Sequence, residues 1–564
     1  MNPRGFFRYS VFQPALIWGV IAALAVLALG LHCRRGFRDI DREIAALEKQ
    51  KRALVVIGGD VSLRDVPKAH EILHGHFFTD PYYLGEAHWY PFVMPAAAAL
   101  VASASGRDVP EAYFRLEVIT TAFFLLAAGC VIVVLGGLRS LPLVPLAILL
   151  GWLEPGHGLY PADGVRGAFC LFLVLAGLVW EGRSSRARSP AAYLAVGILI
   201  GTLGIWQGAS FMTATGIGLV LLVPLARGCV RPEQRFTALK RFALLLVGAA
   251  GPLLLLFGPQ LLQYGKLVYP QAAAAWLEPL YEGHGLADAF KLALLPHDAG
   301  LVLVVAFVIR ALWISRGENT AWRRSQPLLA AFVVSLILAH GGFVVADLAH
   351  PGLARIARRI LPAPPHTFWL VTTALLPIVK LLGLVALLET LSRIVKWLLR
   401  RFLDRHKIAL GTLAAWGPLW LALALFLVLP FHLPKLPART SDSQDRGFYN
   451  FTKQVAATVG RTPVFFRYPG MFVQGGAFKV PLLSLDYYAS QYVQASRRRA
   501  VEDLNRAVES GDLSRADAYF VKNGYQFIVE DPRAKSDPVI LRCGGSPIMS
   551  HSGFVLRRYE GCRL

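Results

Sequence analysis

Long apolar runs separated by short clusters of arginine and lysine constrain this chain more than any other feature of its sequence. We count about eleven such runs; those shorter than the roughly 20 residues of a straight span are expected to extend into their flanks or to be broken helices inside a bundle. Hydrophobic residues make up 55% of the 564 residues and charged residues only 17%, which excludes a soluble enzyme, a coiled coil and a disordered chain. The runs cover residues 14–31, 118–138, 141–153, 165–180, 191–206, 209–226, 242–262, 299–314, 327–345, 368–388 and 408–428.

The basic clusters predict the orientation. The formal net charge is +22, but the positive residues precede the first run and follow the even-numbered runs, which places those connections in the cytoplasm and argues against a nucleic-acid partner. The stretch 191–226 is basic at both ends and must cross twice or re-enter, with a bend predicted at Gly204, Gln207 and Gly208. Loops 32–115, 263–298 and 346–366 and the C-terminus then lie outside.

The region after the last apolar run differs from the rest of the chain in composition. Residues 433–564 have mixed charge, two short apolar bursts at 463–466 and 525–529 that predict strands, and a charged stretch at 496–516 that predicts a helix. We therefore predict a helical transmembrane domain over 1–432 and a small α/β domain over 433–564. An oxidising compartment makes a disulfide between Cys543 and Cys562 plausible.

The first outer loop, 32–115, carries a concentration of acids, histidines and aromatics. Carboxylates near a membrane surface can act as a general base or hold a metal ion, and aromatic rings stack on sugars. The alternative is a solvated loop with an aromatic belt. The chemically relevant residues are Asp60, Asp65, Asp80, Glu86, His88, Trp89 and Tyr90.

One short motif in this loop suggests different chemistry. His70-Glu71-Ile72-Leu73-His74 fits H-E-x-x-H, the pattern that places two zinc ligands one helical turn apart with a glutamate base. No convincing third ligand follows, although His76 and Glu86 are candidates. A zinc metalloprotease is therefore the least favoured interpretation.

The order of features in the loop resembles the GT-C superfamily of polytopic membrane glycosyltransferases. The resemblance runs from Gly59-Asp60 through a helix ending in Leu73-x-Gly75 to Asp80-Pro81, and then to Trp89-Tyr90-Pro91 and Pro95. Gly106, Glu111 and Arg115 before the second run, and Gly201-Thr202-Leu203 with Gly208, also fit. The resemblance implies a GT-C-like fold of about eleven transmembrane helices with the C-terminal α/β domain in the periplasm.

The resemblance also implies an activity, which is inverting transfer of a sugar from a polyprenyl-phosphate donor to a glycan, lipid or protein acceptor on the periplasmic face of a bacterial inner membrane. A first-loop acid would accept the proton of the acceptor hydroxyl. Asp60 is in the expected position, Asp80 supports it or is itself the base, and Asp65 competes for the same role. We expect a monomer whose partners are membrane lipids, the lipid-linked donor and the acceptor.

Two other outer loops supply further candidates. The basic loop 346–366 is outside, against the positive-inside pattern, and its Arg355, Arg358, Arg359 and His366 would bind the donor phosphate; the alternative is an amphipathic helix on anionic lipid. Glu154 and His157, in a further outer loop, would support the substrate or complete a metal site, and dependence on a divalent metal stays open; the alternative for this segment is a polar turn. Alternative functions are a lipid-linked glycan transporter or flippase and an O-antigen-type polymerase or ligase.

Overall fold

The computed structural model describes fifteen helices and strands. They are α1 (Pro3–Lys49), α2 (Val66–Leu73), α3 (Val93–Ser105), α4 (Pro190–Trp206), α5 (Pro232–Tyr264), α6 (Asp298–Leu312), α7 (Ser443–Val459), β1 (Val464–Phe465), β2 (Phe478–Lys479), α8 (Gln491–Ser510), α9 (Leu513–Asn523), β3 (Phe527–Glu530), α10 (Pro538–Cys543), β4 (Gly544–His551) and β5 (Phe554–Tyr559). The residues described are 3–50, 65–80, 85–88, 92–116, 118–120, 190–206, 225–226, 228–265, 298–312, 333–334, 443–466, 478–479, 491–532 and 537–563, with isolated helical positions between 379 and 397.

The chain divides into two compact units. The first comprises Met1–Phe37, Glu117–Pro252 and Ala274–Lys435. The second comprises Arg38–Leu116, Leu253–Ala273 and Leu436–Leu564, so it joins the first outer loop to the C-terminal region in one body.

In the first unit, helices α4 and α5 approach each other through glycines. A Cβ on Gly197 would overlap the backbone carbonyl of Leu245, and one on Gly201 would overlap that of Ala249. Gly248 on α5 makes the same kind of approach to the backbone of α4. Small residues at a helix contact let two backbones pack closely where lipid provides no hydrophobic drive for association.

The described helices agree only in part with the predicted spans. Helix α5, with 33 residues, is the one described helix that is long and apolar enough to cross a bilayer. Helix α4 has 17 residues and continues through Gly204, so the bend predicted at Gly204 is wrong; an apolar helix tolerates glycine because its backbone bonds stay internal. Gln207 and Gly208 lie outside the described residues, as do most of the predicted runs, and the number of spans stays a prediction.

Helix α1 is longer than the apolar run that it contains. It continues for 47 residues to Lys49, whereas the sequence suggested a loop from residue 32. The segment after the apolar run is charged but rich in good helix formers such as Ala45, Ala46 and Leu47, so the helix persists beyond its apolar part.

The C-terminal part of the second unit is built on a five-stranded mixed sheet in the order β2-β1-β3-β5-β4. Strand β1 is parallel to β2 and to β3, whereas β5 is antiparallel to both β3 and β4. Successive residues of a strand point to opposite faces of its sheet. Val464 and Val529 accordingly face a cluster with α7, while Phe465 and Ile528 face a cluster with α8, α9 and α10.

The charged stretch 496–516 is two helices, not the single helix that its composition suggested. Gly511, at φ +78°, separates α8 from α9, because a left-handed residue ends an α-helix and glycine adopts it without strain. The Asp512 carboxylate then accepts a hydrogen bond from the backbone N–H of Arg515 and caps α9. Cys543 and Cys562 form a disulfide, the pairing suggested by the sequence.

Candidate functional site

The short helix α2 is an internal element of the second unit. Asp65 precedes it, a proline lies in its first turn and its first six residues are buried. Gly75, at φ +86°, follows its last turn, so the helix ends at the Leu-x-Gly pattern noted in the sequence. The chain then turns back beside the helix that it has just left.

Asp65 is tied to the helical segment at 109–116. It is 1% exposed, and its carboxylate accepts a hydrogen bond of 2.6 Å from the hydroxyl of the fully buried Tyr113. A buried carboxylate needs such donors because its charge is otherwise uncompensated. The Asp65 carboxylate therefore has a clear part in holding the start of α2 in place.

Lys68 is a buried cation between α2 and the returning chain. It is 4% exposed, and its ammonium group donates hydrogen bonds to the carbonyls of Phe77 at 2.8 Å and Thr79 at 2.6 Å. Burial lowers the pKa of Lys68 to about 8, while the carboxylates of Asp80 and Glu71 act in the opposite direction. The lysine thus fixes the backbone immediately before Asp80 and brings positive charge to its carboxylate.

Glu71, one turn further along α2, is a second buried acid. It is 1% exposed, and one carboxylate oxygen accepts a hydrogen bond of 3.0 Å from the Thr79 hydroxyl. Burial raises the pKa of Glu71 to about 7, against the smaller opposing effects of the Thr79 hydrogen bond and the Lys68 charge. This carboxyl therefore titrates near neutral pH.

Asp80 begins a hairpin-like return of the chain and is 7% exposed. Its backbone N–H donates to the carbonyl of Glu86 at 2.8 Å, and the N–H of His88 donates to the carbonyl of Phe78 at 3.0 Å. These cross-strand bonds set Asp80 opposite Glu86. We call the described residues 78–80 and 85–88 the acid hairpin.

The end of helix α5 holds the returning side of the acid hairpin. The amide of Gln263 donates to the carbonyl of Gly85 at 2.9 Å, and its oxygen accepts from the N–H of Ala87 at 2.6 Å. Gln260 donates to the carbonyl of His88 at 3.2 Å. One helix end therefore clamps the backbone on both sides of Glu86.

His70 and His88 are buried, neutral imidazoles. Burial lowers the pKa of each to about 3, with smaller contributions in the same direction from Lys453 at His70 and from Lys68 at His88. The ring of His88 stacks on Phe78 with centroids 5.8 Å apart. Both rings serve as packed, uncharged groups at physiological pH.

Among the described residues, His70, Glu71 and His74 do not belong to a set of metal ligands that would support the metalloprotease alternative. Within the part of the chain that the structure describes, no three His, Cys, Asp or Glu side chains group closely enough to hold a metal ion. His70 is buried, while His74 is exposed and its Nδ1 is hydrogen-bonded to the carbonyl of His70 at 2.7 Å. The H-E-x-x-H match lies on helix α2 and its C-terminal cap, and the first six residues of that helix are buried.

Basic residues of the C-terminal region contact the first outer loop at three places. All of these contacts lie within the second unit, so the loop and the C-terminal sheet domain form one structure. The pairs are Arg497 with Glu86, Lys453 with Asp108 at 2.7 Å, and Arg461 with His76.

The structure brings four of the sequence-predicted site residues into this one region. Asp65, Asp80, Glu86 and His88 belong to α2 and the acid hairpin or adjoin them. The remaining candidates lie outside the described residues, and these are Asp60, Trp89, Tyr90, Glu154, His157, Arg355, Arg358, Arg359 and His366.

Sequence reasoning left out the basic and amide partners of these acids. Lys68 precedes Glu71 by three residues on one face of α2, a spacing that pairs side chains on a helix, so the sequence carried a signal for Lys68. Arg497 and Gln263 contact the acid hairpin from segments far away in the chain, and no local pattern marks them.

Solved structures provide the comparisons for this chain. No protein-family model and no curated protein matches it. ArnT from Cupriavidus metallidurans, solved bound to undecaprenyl phosphate, is similar with 12% identity and a TM-score of 0.49 over 96% of this chain and 98% of that one. Arabinofuranosyltransferase AftD from Mycobacteria has 13% identity and a TM-score of 0.47 over 96% of this chain and 40% of that one.

The oligosaccharyltransferase of Archaeoglobus fulgidus in its apo form is also similar. It has 14% identity and a TM-score of 0.40 over 93% of this chain and 73% of that one.

Proposed function

We propose that this protein is an inverting membrane glycosyltransferase that moves a sugar from a polyprenyl-phosphate carrier to an acceptor on the periplasmic face of a bacterial inner membrane. The observation that carries the proposal is the placement of Asp80 beside the buried Lys68, in a hairpin whose backbone is held from both sides. A loop that only connected two spans would have no need for buried, charge-compensated acids. The residue order of the same loop carries the resemblance to GT-C enzymes.

The proposed reaction is a single displacement. The acceptor oxygen forms a bond to the anomeric carbon as the bond from that carbon to the phosphate oxygen breaks, and the electron pair leaves with polyprenyl phosphate. The acceptor proton passes to a first-loop carboxylate, which makes the oxygen a better nucleophile. Because bond formation and bond breaking occur on opposite faces of the carbon, the configuration inverts.

We assign the role of general base, which accepts the proton of the acceptor hydroxyl, to Asp60 and a supporting role to Asp80. Asp80 is buried beside the cation of Lys68 and anchored through its backbone N–H. Such a group is suited to fix the electrostatic environment of the acceptor. Asp60 occupies the position that the resemblance gives to the proton acceptor.

The leaving phosphate requires cations at the same membrane face. We assign this task to Arg355, Arg358 and Arg359, with His366, because a guanidinium group binds two phosphate oxygens at once. Glu154 and His157 are assigned to substrate support. A good phosphate leaving group lets positioning and a base suffice for the chemistry.

The test is a transfer assay with the purified chain in lipid nanodiscs. A polyprenyl-phosphate sugar of known anomeric configuration is supplied with a periplasmic glycan or lipid extract as acceptor. We expect release of polyprenyl phosphate in equal amount to the transferred sugar, with inverted configuration in the product. Movement of the intact donor across the bilayer without release of polyprenyl phosphate would identify a transporter instead, and retained configuration would reject the single displacement.

A further inference from the structure

Glu86 is the point at which three separate segments of the second unit meet. Its backbone carbonyl accepts the N–H of Asp80 across the acid hairpin. Gln263, at the end of α5, bonds to the residues on either side of it. Its carboxylate forms an ion pair with Arg497 of helix α8, which belongs to the C-terminal region.

The ion pair is shielded from water. The side chain of Arg497 is 9% exposed and that of Glu86 is 21% exposed. At this degree of burial the attraction is weakly screened, and removal of one partner leaves the other charge in an unfavourable environment. Arg498 and Arg499, the next two residues of α8, are exposed, so Arg497 is set apart from its basic neighbours by what it contacts.

We propose that Arg497 is a positioning residue for the acid site, through which the C-terminal domain fixes Glu86 and hence the backbone of Asp80. The proposal rests on the function proposed above and adds a role for the C-terminal domain. Arg497 is assigned no contact with the reacting atoms. It acts through Glu86, and the path is one ion pair followed by one backbone hydrogen bond.

The physical reason for such a device lies in the hairpin itself. An isolated two-stranded hairpin is marginally stable in water, and the acid hairpin has few cross-strand bonds of its own. A displacement of about 1 Å at a reacting group can cost roughly a hundredfold in rate. A distant arginine that holds the hairpin therefore controls the rate without contact with the substrate.

The experiment compares Arg497→Gln and Arg497→Lys with Arg499→Gln, the matched control on the exposed side of the same helix. Hydrogen–deuterium exchange is followed over residues 78–88 in the full chain in nanodiscs. We expect Arg497→Gln to speed exchange of the Asp80 and His88 amides by about tenfold or more, because local opening no longer breaks the ion pair. Arg497→Lys restores part of the protection, and Arg499→Gln matches the wild type.

The kinetic part separates positioning from general stability. In the transfer assay, Arg497→Gln lowers kcat by about tenfold and leaves the donor KM within about twofold, because alignment and not binding is lost. Glu86→Gln lowers kcat at least as much, because the Glu86 side chain also hydrogen-bonds to Tyr264, and the double variant is no worse than Glu86→Gln, since both changes remove the same ion pair.

Two outcomes overturn the proposal. One is unchanged exchange over residues 78–88 in Arg497→Gln, and the other is an equal effect of Arg499→Gln. If the wild type transfers no sugar, the proposed function fails while the exchange result still decides whether Arg497 holds the hairpin. If the wild type is active and Arg497→Gln keeps its kcat, the positioning role fails and the function stands.

Discussion

The hydroxyl of Tyr113 donates a hydrogen bond of 2.6 Å to the carboxylate of Asp65, which lies 48 residues earlier in the chain. Both side chains are inaccessible to solvent, at 0% and 1% exposure. The bond joins the start of α2 to the helical segment at 109–116 and so closes the first outer loop on itself. Asp65, one of the acids that competed for the role of base, thus has a structural task.

Tyr113→Phe should destabilise this loop without a direct effect on chemistry. The substitution keeps the ring and removes one donor from a buried carboxylate, which costs about 1–3 kcal/mol. We expect a lower midpoint in thermal unfolding in detergent and faster exchange over residues 65–73. An unchanged midpoint together with unchanged exchange would show that the bond contributes nothing to the loop.

Lys68→Met should loosen the acid hairpin. The variant keeps the length of the side chain but leaves the carbonyls of Phe77 and Thr79 without their donor, and we expect a loss of about 2–3 kcal/mol because the bonds are charge-assisted. Lys522→Met, on the exposed surface of α9, is the control. Equal unfolding midpoints for both variants would contradict the role of Lys68.

Glu71→Gln should change how stability depends on pH. The pKa of Glu71 is raised from 4.5 to about 7 in the folded chain. Between these two pH values the folded state holds a proton that the unfolded state has released, so the free energy of unfolding falls as pH rises through this window. The stability contributed by this group is fully present below pH 4.5 and is lost as pH rises through about 7.

Glutamine at position 71 removes the pH-dependent contribution of Glu71 to the free energy of unfolding, while the other titrating groups stay in place. At about 1.4 kcal/mol per pKa unit, the wild type should lose roughly 3 kcal/mol relative to the variant between pH 4.5 and pH 7. Chemical denaturation at several pH values measures the difference, with Glu509→Gln on the exposed face of α8 as the control. A constant difference across this range would reject a raised pKa at Glu71.

Gly197→Ala should weaken the contact between α4 and α5. The added methyl group would overlap the carbonyl of Leu245, whereas a Cβ on Gly251 of α5 meets nothing within 4 Å. We expect Gly197→Ala to cost about 1–3 kcal/mol as overpacking does, and Gly251→Ala to be neutral or slightly stabilising because alanine favours a helix. Thermal unfolding of both variants in the same detergent tests this, and the reverse order of their midpoints would contradict the packing.

The local elements were predictable where one physical signal dominated. Gly75 and Gly511 end helices because glycine adopts left-handed angles without strain, and Val464-Phe465 forms a strand because its alternation serves two faces of a sheet. The break at Gly511 was nevertheless missed, since a single glycine in a charged stretch is also tolerated inside a helix. Helix α1 was cut short for a related reason, because hydropathy marks the apolar part of a helix and not its end.

The assembly of the candidate site was much harder to predict. Asp80 and Glu86 are close in sequence and were both singled out as acids. Their partners Arg497 and Gln263 come from a helix of the C-terminal region and from the end of a long apolar helix. Only tertiary packing brings these segments together, and a single sequence carries no record of which distant residues meet.

The central claim is that first-loop carboxylates carry out sugar transfer from a lipid-linked donor. Single-turnover transfer by the wild type, Asp60→Asn, Asp80→Asn and the control Asp503→Asn, a partly exposed acid of α8 that pairs with Arg506, tests it most directly. We predict that Asp60→Asn loses about 10²–10⁴-fold in rate, as expected when a general base is removed, that Asp80→Asn loses less, and that Asp503→Asn is unaffected. Wild-type rates in both Asp60→Asn and Asp80→Asn would contradict the account.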